Sequence, residues 1–148
     1  MDYTARLLLC DVAAMTAQES VYEASRLMTR RRIGCVVIAE GRKIRGVFTE
    51  RDLLNRVVAE GLPPKKTALL KVMTADPISV EAEEPLGKVF DLLARRRFRH
   101  LPITEGGLLA GIISLSDLAG VVGEVFEDEK YLQYFASYLK DGRRPPAA

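Results

Sequence analysis

Gly46-Val47-Phe48-Thr49-Glu50-Arg51-Asp52 is written again in outline as Gly111-Ile112-Ile113-Ser114-Leu115-Ser116-Asp117. In both stretches a glycine and two apolar residues lead to a small hydroxyl, and an aspartate follows three positions later. The two stand 65 residues apart. Sliding residues 7–59 onto 72–124 at that offset, without a gap, gives 14 identities in 53 positions. Unrelated stretches of such composition would give roughly one identity in fifteen. The matches include Asp11 with Asp76, Leu27 with Leu92, Arg30–Arg32 with Arg95–Arg97, Gly41 with Gly106 and Asp52 with Asp117. The chain is therefore an internal duplication, and its fold has to be read as one unit written twice.

Each copy carries the same order of elements. In the second, Leu86, Val89, Phe90 and Leu93 recur at i, i+3, i+4, i+7, the stripe of a helix with one buried face, and Pro85 suits its first turn. In the first, Val21, Ala24 and Met28 hold the matching places, and Ser20 with Glu23 forms a capping-box pattern that starts the helix near position 20. Short apolar runs follow, CVVI and LPI, then hairpin signals, EGRK and TEGG, then second strands ending at Thr49 and Ser114. Further helices are expected from Glu50 and Leu115. The unit is α/β: strand, helix, strand, strand, helix. Residues 5–60 form repeat 1, 61–66 (GLPPKK) the linker, and 67–124 repeat 2. One unit of about 55 residues makes a thin core, so the two are expected to pack their sheets about a pseudo-twofold axis. Residues 125–148 lie outside the duplication. Tyr131, Tyr134, Phe135 and Tyr138 recur there at helical spacing, which predicts an amphipathic C-terminal helix ahead of the tail.

Composition narrows the function. The 148 residues are 48% hydrophobic and 28% charged with a net charge of +2, as in a globular protein without a forced basic face, so nucleic acid is not the expected primary partner. No apolar run reaches membrane-spanning length, and MDYTARLLLCDV lacks the pattern of a secretory leader, so the expected location is cytoplasmic. A single histidine, His100, and two separated cysteines, Cys10 and Cys35, leave no metal-ligand pattern. No G-x-S-x-G, phosphate loop or H-E-x-x-H is present, and no catalytic residue is proposed.

Thr49-x-x-Asp52 and Ser114-x-x-Asp117 have two physical readings. As helix caps, the hydroxyl accepts from the first turn and the aspartate favours the positive helix end. As ligand sites, the glycines let backbone approach closely, the hydroxyl donates and accepts, and the aspartate accepts from two adjacent sugar hydroxyls. The paired arginine runs end predicted helices and complement the helix dipole there. His100 reads either as a packed strand residue or as a ligand contact.

The two signature segments, with MTADPISVEAEEPLGKVFDLLARRRFRHLPI and SVYEASRLMTRRRIGCVVI, resemble the cystathionine-β-synthase (CBS) domain family, and the duplication resembles its paired form, the Bateman module. The resemblance covers about residues 5–124. It implies a regulatory module, not an enzyme, that senses an adenosine ligand (AMP, ADP, ATP, S-adenosylmethionine or NAD) in the cleft between repeats, with no required cofactor. It further implies signalling to an effector protein or through a homodimer. By the same resemblance, Asp52 and Asp117 hold ribose hydroxyls, and Thr49 and Ser114 lie near ribose or phosphate. Val12 and Ala13, or Pro77 and Ile78, flank adenine, with Val47 and Ile112 nearby. Arg99 and His100 suit phosphate contacts, whereas Gly34 and Cys35 occupy the matching places of the first copy. A phosphorylated ligand is accordingly expected to prefer Asp52 over Asp117. The competing reading is a protein-interaction or dimerisation module with vestigial nucleotide pockets.

Overall fold

The computed structural model describes residues 3–96 and 99–114; the expectations for Arg97, Asp117, the helix from Leu115 and the C-terminal helix lie outside the described residues. The described chain is mixed α/β, with two sheets and four α-helical segments. In order these are β1 (Ala14–Met15), α1 (Val21–Arg31), β2 (Cys35–Glu40), β3 (Lys43–Thr49), α2 (Glu50–Asp52), α3 (Leu69–Val72), β4 (Thr74–Ala75), β5 (Val80–Glu81), α4 (Leu86–Arg96), β6 (His100–Glu105) and β7 (Leu108–Ser114). A π-helical turn, Leu53–Val58, continues α2. Helices α1 and α4, strands β2 and β6, and strands β3 and β7 all correspond at the offset of 65 without a residue's slip.

The chain divides into two compact units that interleave along the sequence. The first gathers residues 11–78 and 107–109; the second gathers residues 3–10, 79–106 and 110–114. Each repeat has thus given its leading segment to the other unit. In the first unit the sheet order is β1-β2-β3-β4, with β1 parallel to β2 and the rest antiparallel. Its core contains Val21, Ala24 and Met28 from α1, Val36 and Ile38 from β2, Phe48 from β3 and, from the incoming segment, Leu69 and Val72. In the second unit, of order β5-β6-β7, Ala5 and Leu8 enter beside Leu86, Val89, Phe90 and Leu93 of α4. All four residues of the sequence stripe on α4 are buried, as its period requires.

The leading segments are docked by the same bonds in both units. Leu69 N–H donates to Glu19 O (2.9 Å) and Leu70 N–H to Ala17 O (3.0 Å); Ala5 N–H donates to Glu84 O (2.8 Å) and Arg6 N–H to Ala82 O (2.9 Å). These pairs relate the segments at an offset of 64, and Cys10 opposite Ile112 matches Thr74 opposite Val47 at that same offset. The second repeat therefore holds one extra residue before β5. The ungapped match of Asp11 with Asp76 is not a structural equivalence, and Asp76 takes a left-handed backbone, φ +46°, where that residue is absorbed.

Local chemistry sets the element ends. Ser20 Oγ accepts from Glu23 N–H (3.1 Å) and Glu23 Oε2 accepts from Ser20 N–H (2.8 Å), the reciprocal box expected at the start of α1. At its other end Arg30 and Arg31 occupy the last turn and Arg32 closes it at φ +55°. That places the first arginine run at the negative end of the helix.

Candidate functional site

Strand β3 ends at Thr49 because the chain turns there into α2, and the turn is closed from both sides. Asp52 N–H donates to Thr49 Oγ1 (3.2 Å), and Thr49 N–H donates to Asp52 Oδ2 (3.0 Å). Glu50 N–H reaches across to Gly34 O (3.0 Å), at the entrance of β2. The capping reading of T-x-x-D is therefore realised. It does not exhaust the groups involved, since each carboxylate oxygen has two lone-pair sites and the cap engages one of the two oxygens.

The second oxygen faces a cation. Arg56 Nε lies 3.6 Å from Asp52 Oδ1, an ion pair beyond direct hydrogen-bond length, and the Asp52 side chain is only 12% exposed. Beneath it, Cys35 stands opposite Thr49 in the β2–β3 register. Burial first, and the nearby Asp52 charge second, push the Cys35 thiol up to about 12. A thiol held neutral beside a carboxylate is a packing group rather than a nucleophile.

The other candidates fall into two sets. Ala13 accepts from Val37 N–H (2.9 Å), which brings the Val12–Ala13 backbone to the same end of the first sheet as Cys35 and Thr49. Val47 is buried on β3 between Thr49 and Gly46. Pro77 and Ile78 belong to this unit too but sit at the opposite end of β3, where Asp76 N–H donates to Arg45 O (3.1 Å). In the second unit, Ser114 ends β7, Ile112 is buried on it, His100 starts β6 half-buried, and Arg99 precedes it exposed. Among the described residues no group of three or more Asp, Glu, His or Cys is gathered as a metal site would require.

The two signature glycines have a shared and specific role. A Cβ on Gly46 would stand 2.6 Å from Met73 Sδ and 2.8 Å from Thr74 O; one on Gly111 would stand 2.6 Å from Cys10 O. The backbone that comes close is that of the exchanged leading segment. Hollows are also present among the described residues of the first unit. One of about 480 Å³ is lined by Thr16, Gln18, Arg45, Leu70, Met73 and Asp76, and one of about 360 Å³ runs along α1 past Tyr22 and Arg26. Neither includes Thr49 or Asp52, and both are open to solvent.

Comparison with known proteins settles the kinship. The CBS domain family matches twice, over residues 6–59 and 69–124. The chain belongs to the CBS domain family. Similar proteins include the mitochondrial CBS domain-containing protein CBSX3 of Arabidopsis thaliana, 29% identical over 132 residues, covering 86% of this chain and 63% of that one. Against the larger plant protein CBSCBSPB2 the identity is 33% over 106 residues, and the match spans a fifth of its length. Among solved structures, an uncharacterized conserved protein from Pyrococcus horikoshii superposes with a TM-score of 0.75 at 32% identity, covering 82% of this chain and 92% of that one. The CBS domain protein PAE2072 from Pyrobaculum aerophilum, solved with AMP, shares the fold at TM-score 0.74 and 23% identity, over 90% and 98% of the two chains. The paired CBS architecture read from the duplication is thus that of the protein. No described helix is long and apolar enough to cross a membrane.

Arg56 is the residue that sequence reading left out of this site. Its signal was present, since an aspartate and an arginine at i, i+4 on a helix face each other. The proximity of Cys35 to Asp52 depends on cross-strand register and had no local signal.

Proposed function

We propose that this CBS protein is a regulatory module that binds an adenosine-containing ligand, with Asp52 accepting hydrogen bonds from the ribose diol. One observation carries the reading. The Asp52 carboxylate is held by its cap through Oδ2, while Oδ1, among the described residues, has a 3.6 Å ion pair and keeps acceptor capacity. A pre-positioned acceptor that a neutral diol can reach loses little freedom on binding. Thr49 completes the reading with a hydroxyl at the strand end, and the AMP held by PAE2072 supports the ligand class. Signalling then passes to an effector protein or through a homodimer. By the duplication we further propose a second, weaker site at the Ser114-x-x-Asp117 signature, with Arg99 and His100 as candidate phosphate contacts.

A thermal-shift screen with AMP, ADP, ATP, S-adenosylmethionine and NAD tests this. A ligand present at a hundred times its Kd stabilises the fold by about 2.7 kcal/mol. One specific observation favours the alternative of an interaction module with vestigial pockets: Thr49 and Asp52 already satisfy one another as a cap. A flat response to the whole panel, with a partner retained by the full chain, would establish that alternative.

A further inference from the structure

Arg56 does more than face Asp52. Its Nη1 donates to the carbonyls of Met73 (2.9 Å) and Val72 (3.3 Å), which close the short helix α3 just ahead of β4. This is the leading segment of the second repeat, docked in the first unit. Met73 and Thr74 in turn press on Gly46, three residues before Thr49 on β3. The contacts form a ring: Gly46 leads along β3 to Thr49 and Asp52, across to Arg56, down to Met73 and back to Gly46. The π-helical turn Leu53–Val58, with its Ala59 N–H to Leu54 O bond (2.9 Å), carries Arg56 on that ring. Such widened turns are rare and recur at functional positions.

We propose that Arg56 is a positioning residue that transmits the state of the Asp52 carboxylate to the exchanged segment 72–75. The inference rests on the ribose role of Asp52 for its biological use, although the link itself needs no ligand. Only a guanidinium suits it. Arginine presents five donors in a planar fork and can serve a carboxylate and two carbonyls together, whereas a lysine ammonium is a point charge that follows one of them. When ribose hydroxyls donate to Oδ1, the share of Asp52 charge facing Arg56 falls, and the guanidinium settles on the Val72 and Met73 carbonyls. The leading segment of the second repeat thereby responds to occupancy.

Hydrogen exchange over residues 69–76 in the ligand-free full chain tests the link, comparing native protein, Asp52→Asn, Arg56→Lys and the double variant. Asparagine still accepts from Thr49 N–H through its one side-chain oxygen, so the cap survives, while the oxygen facing Arg56 is replaced by an NH2 group and the charge is lost. Arg56→Lys is expected to speed exchange at 69–76 by about tenfold, as losing a charge-assisted hydrogen bond does; Asp52→Asn, which releases the guanidinium to the Val72 and Met73 carbonyls, is expected to slow it, and to have little effect once position 56 is Lys. Exchange at 69–76 that ignores Asp52→Asn or quickens with it, or that responds to Asp52→Asn equally whether position 56 is Arg or Lys, overturns the inference. AMP is then added as a probe: protection at 69–76 in native protein that is absent in Arg56→Lys supports transmission from the ligand. If native protein ignores AMP while the Asp52→Asn and Arg56→Lys effects are non-additive, the nucleotide reading fails and the link stands.

Discussion

Gly46→Ala separates a packing account of the signature glycine from a conformational one. The backbone at Gly46 does not need a positive φ, so alanine there brings no left-handed strain and by itself restricts the unfolded chain, a gain of about 0.4–1 kcal/mol. Against that stands steric conflict at two atoms, Met73 Sδ at 2.6 Å and Thr74 O at 2.8 Å. The thioether can swing aside; the carbonyl cannot, because Thr74 pairs with Val47 in the ladder. Overpacking of this kind costs about 1–3 kcal/mol, so the clash outweighs the gain. In a domain of this size each kcal/mol lowers the melting temperature by about 3 °C. The assay is paired thermal and urea unfolding of native, Gly46→Ala, Met73→Ala and the double variant. The double variant should recover only the side-chain part, a coupling of about 0.5–1 kcal/mol. Gly111→Ala, which meets the Cys10 carbonyl at 2.6 Å, should cost at least as much. Gly61→Ala has open space and φ +67°, so its cost is strain alone, about 1 kcal/mol. A Gly46→Ala protein as stable as native would refute the close crossing of the exchanged segment.

Other outcomes follow from the same structure. Ser20→Ala removes half of the α1 capping box and should cost about 1 kcal/mol, read as a lower urea midpoint at unchanged slope. Leu8→Ala should cost about 2–5 kcal/mol because Leu8 is core to the second unit, whereas Arg6→Ala, which frees Glu83 and Glu105 at the exposed surface, should hardly move the midpoint. The Cys35 thiol is raised in the folded state and ordinary in the unfolded one, so between about pH 9 and 12 the folded chain holds the proton that the unfolded chain has lost. Stability should therefore fall with rising pH in that window, by up to about 1.4 kcal/mol per pH unit, and Cys35→Ala should lack that component. Iodoacetamide at pH 8 should leave Cys35 unmodified in native protein.

Much of the fold was legible because it rests on local and periodic signals. The α1 and α4 stripes, the Ser20–Glu23 box, the hairpin turns at Gly41 and Gly106 and the offset of 65 from α1 through β3 all appear in the structure at the residues that announced them. The exchange of leading segments was not legible. Strand β4 has two residues and Cys10 makes a single bridge, too short for any alternation to register, and both pair with residues far away in sequence. The extra residue before β5 was hidden for a related reason, since the chance identity of Asp11 and Asp76 lay across the gap. At the site, the tetrapeptide announced both a cap and a ligand acceptor, and the structure realises the cap; Arg56 joins it at the i, i+4 spacing from Asp52, while its reach to Val72 and Met73 had no local signal.

The claim that Asp52 is the ribose anchor of an adenosine sensor is tested most directly by calorimetric titration of AMP and its relatives into native, Asp52→Ala and Asp117→Ala proteins. The account predicts saturable binding of at least one panel member to native protein, its loss in Asp52→Ala, and a tight site retained in Asp117→Ala. No heat from any member with native protein, or binding that survives Asp52→Ala and disappears in Asp117→Ala, would contradict it.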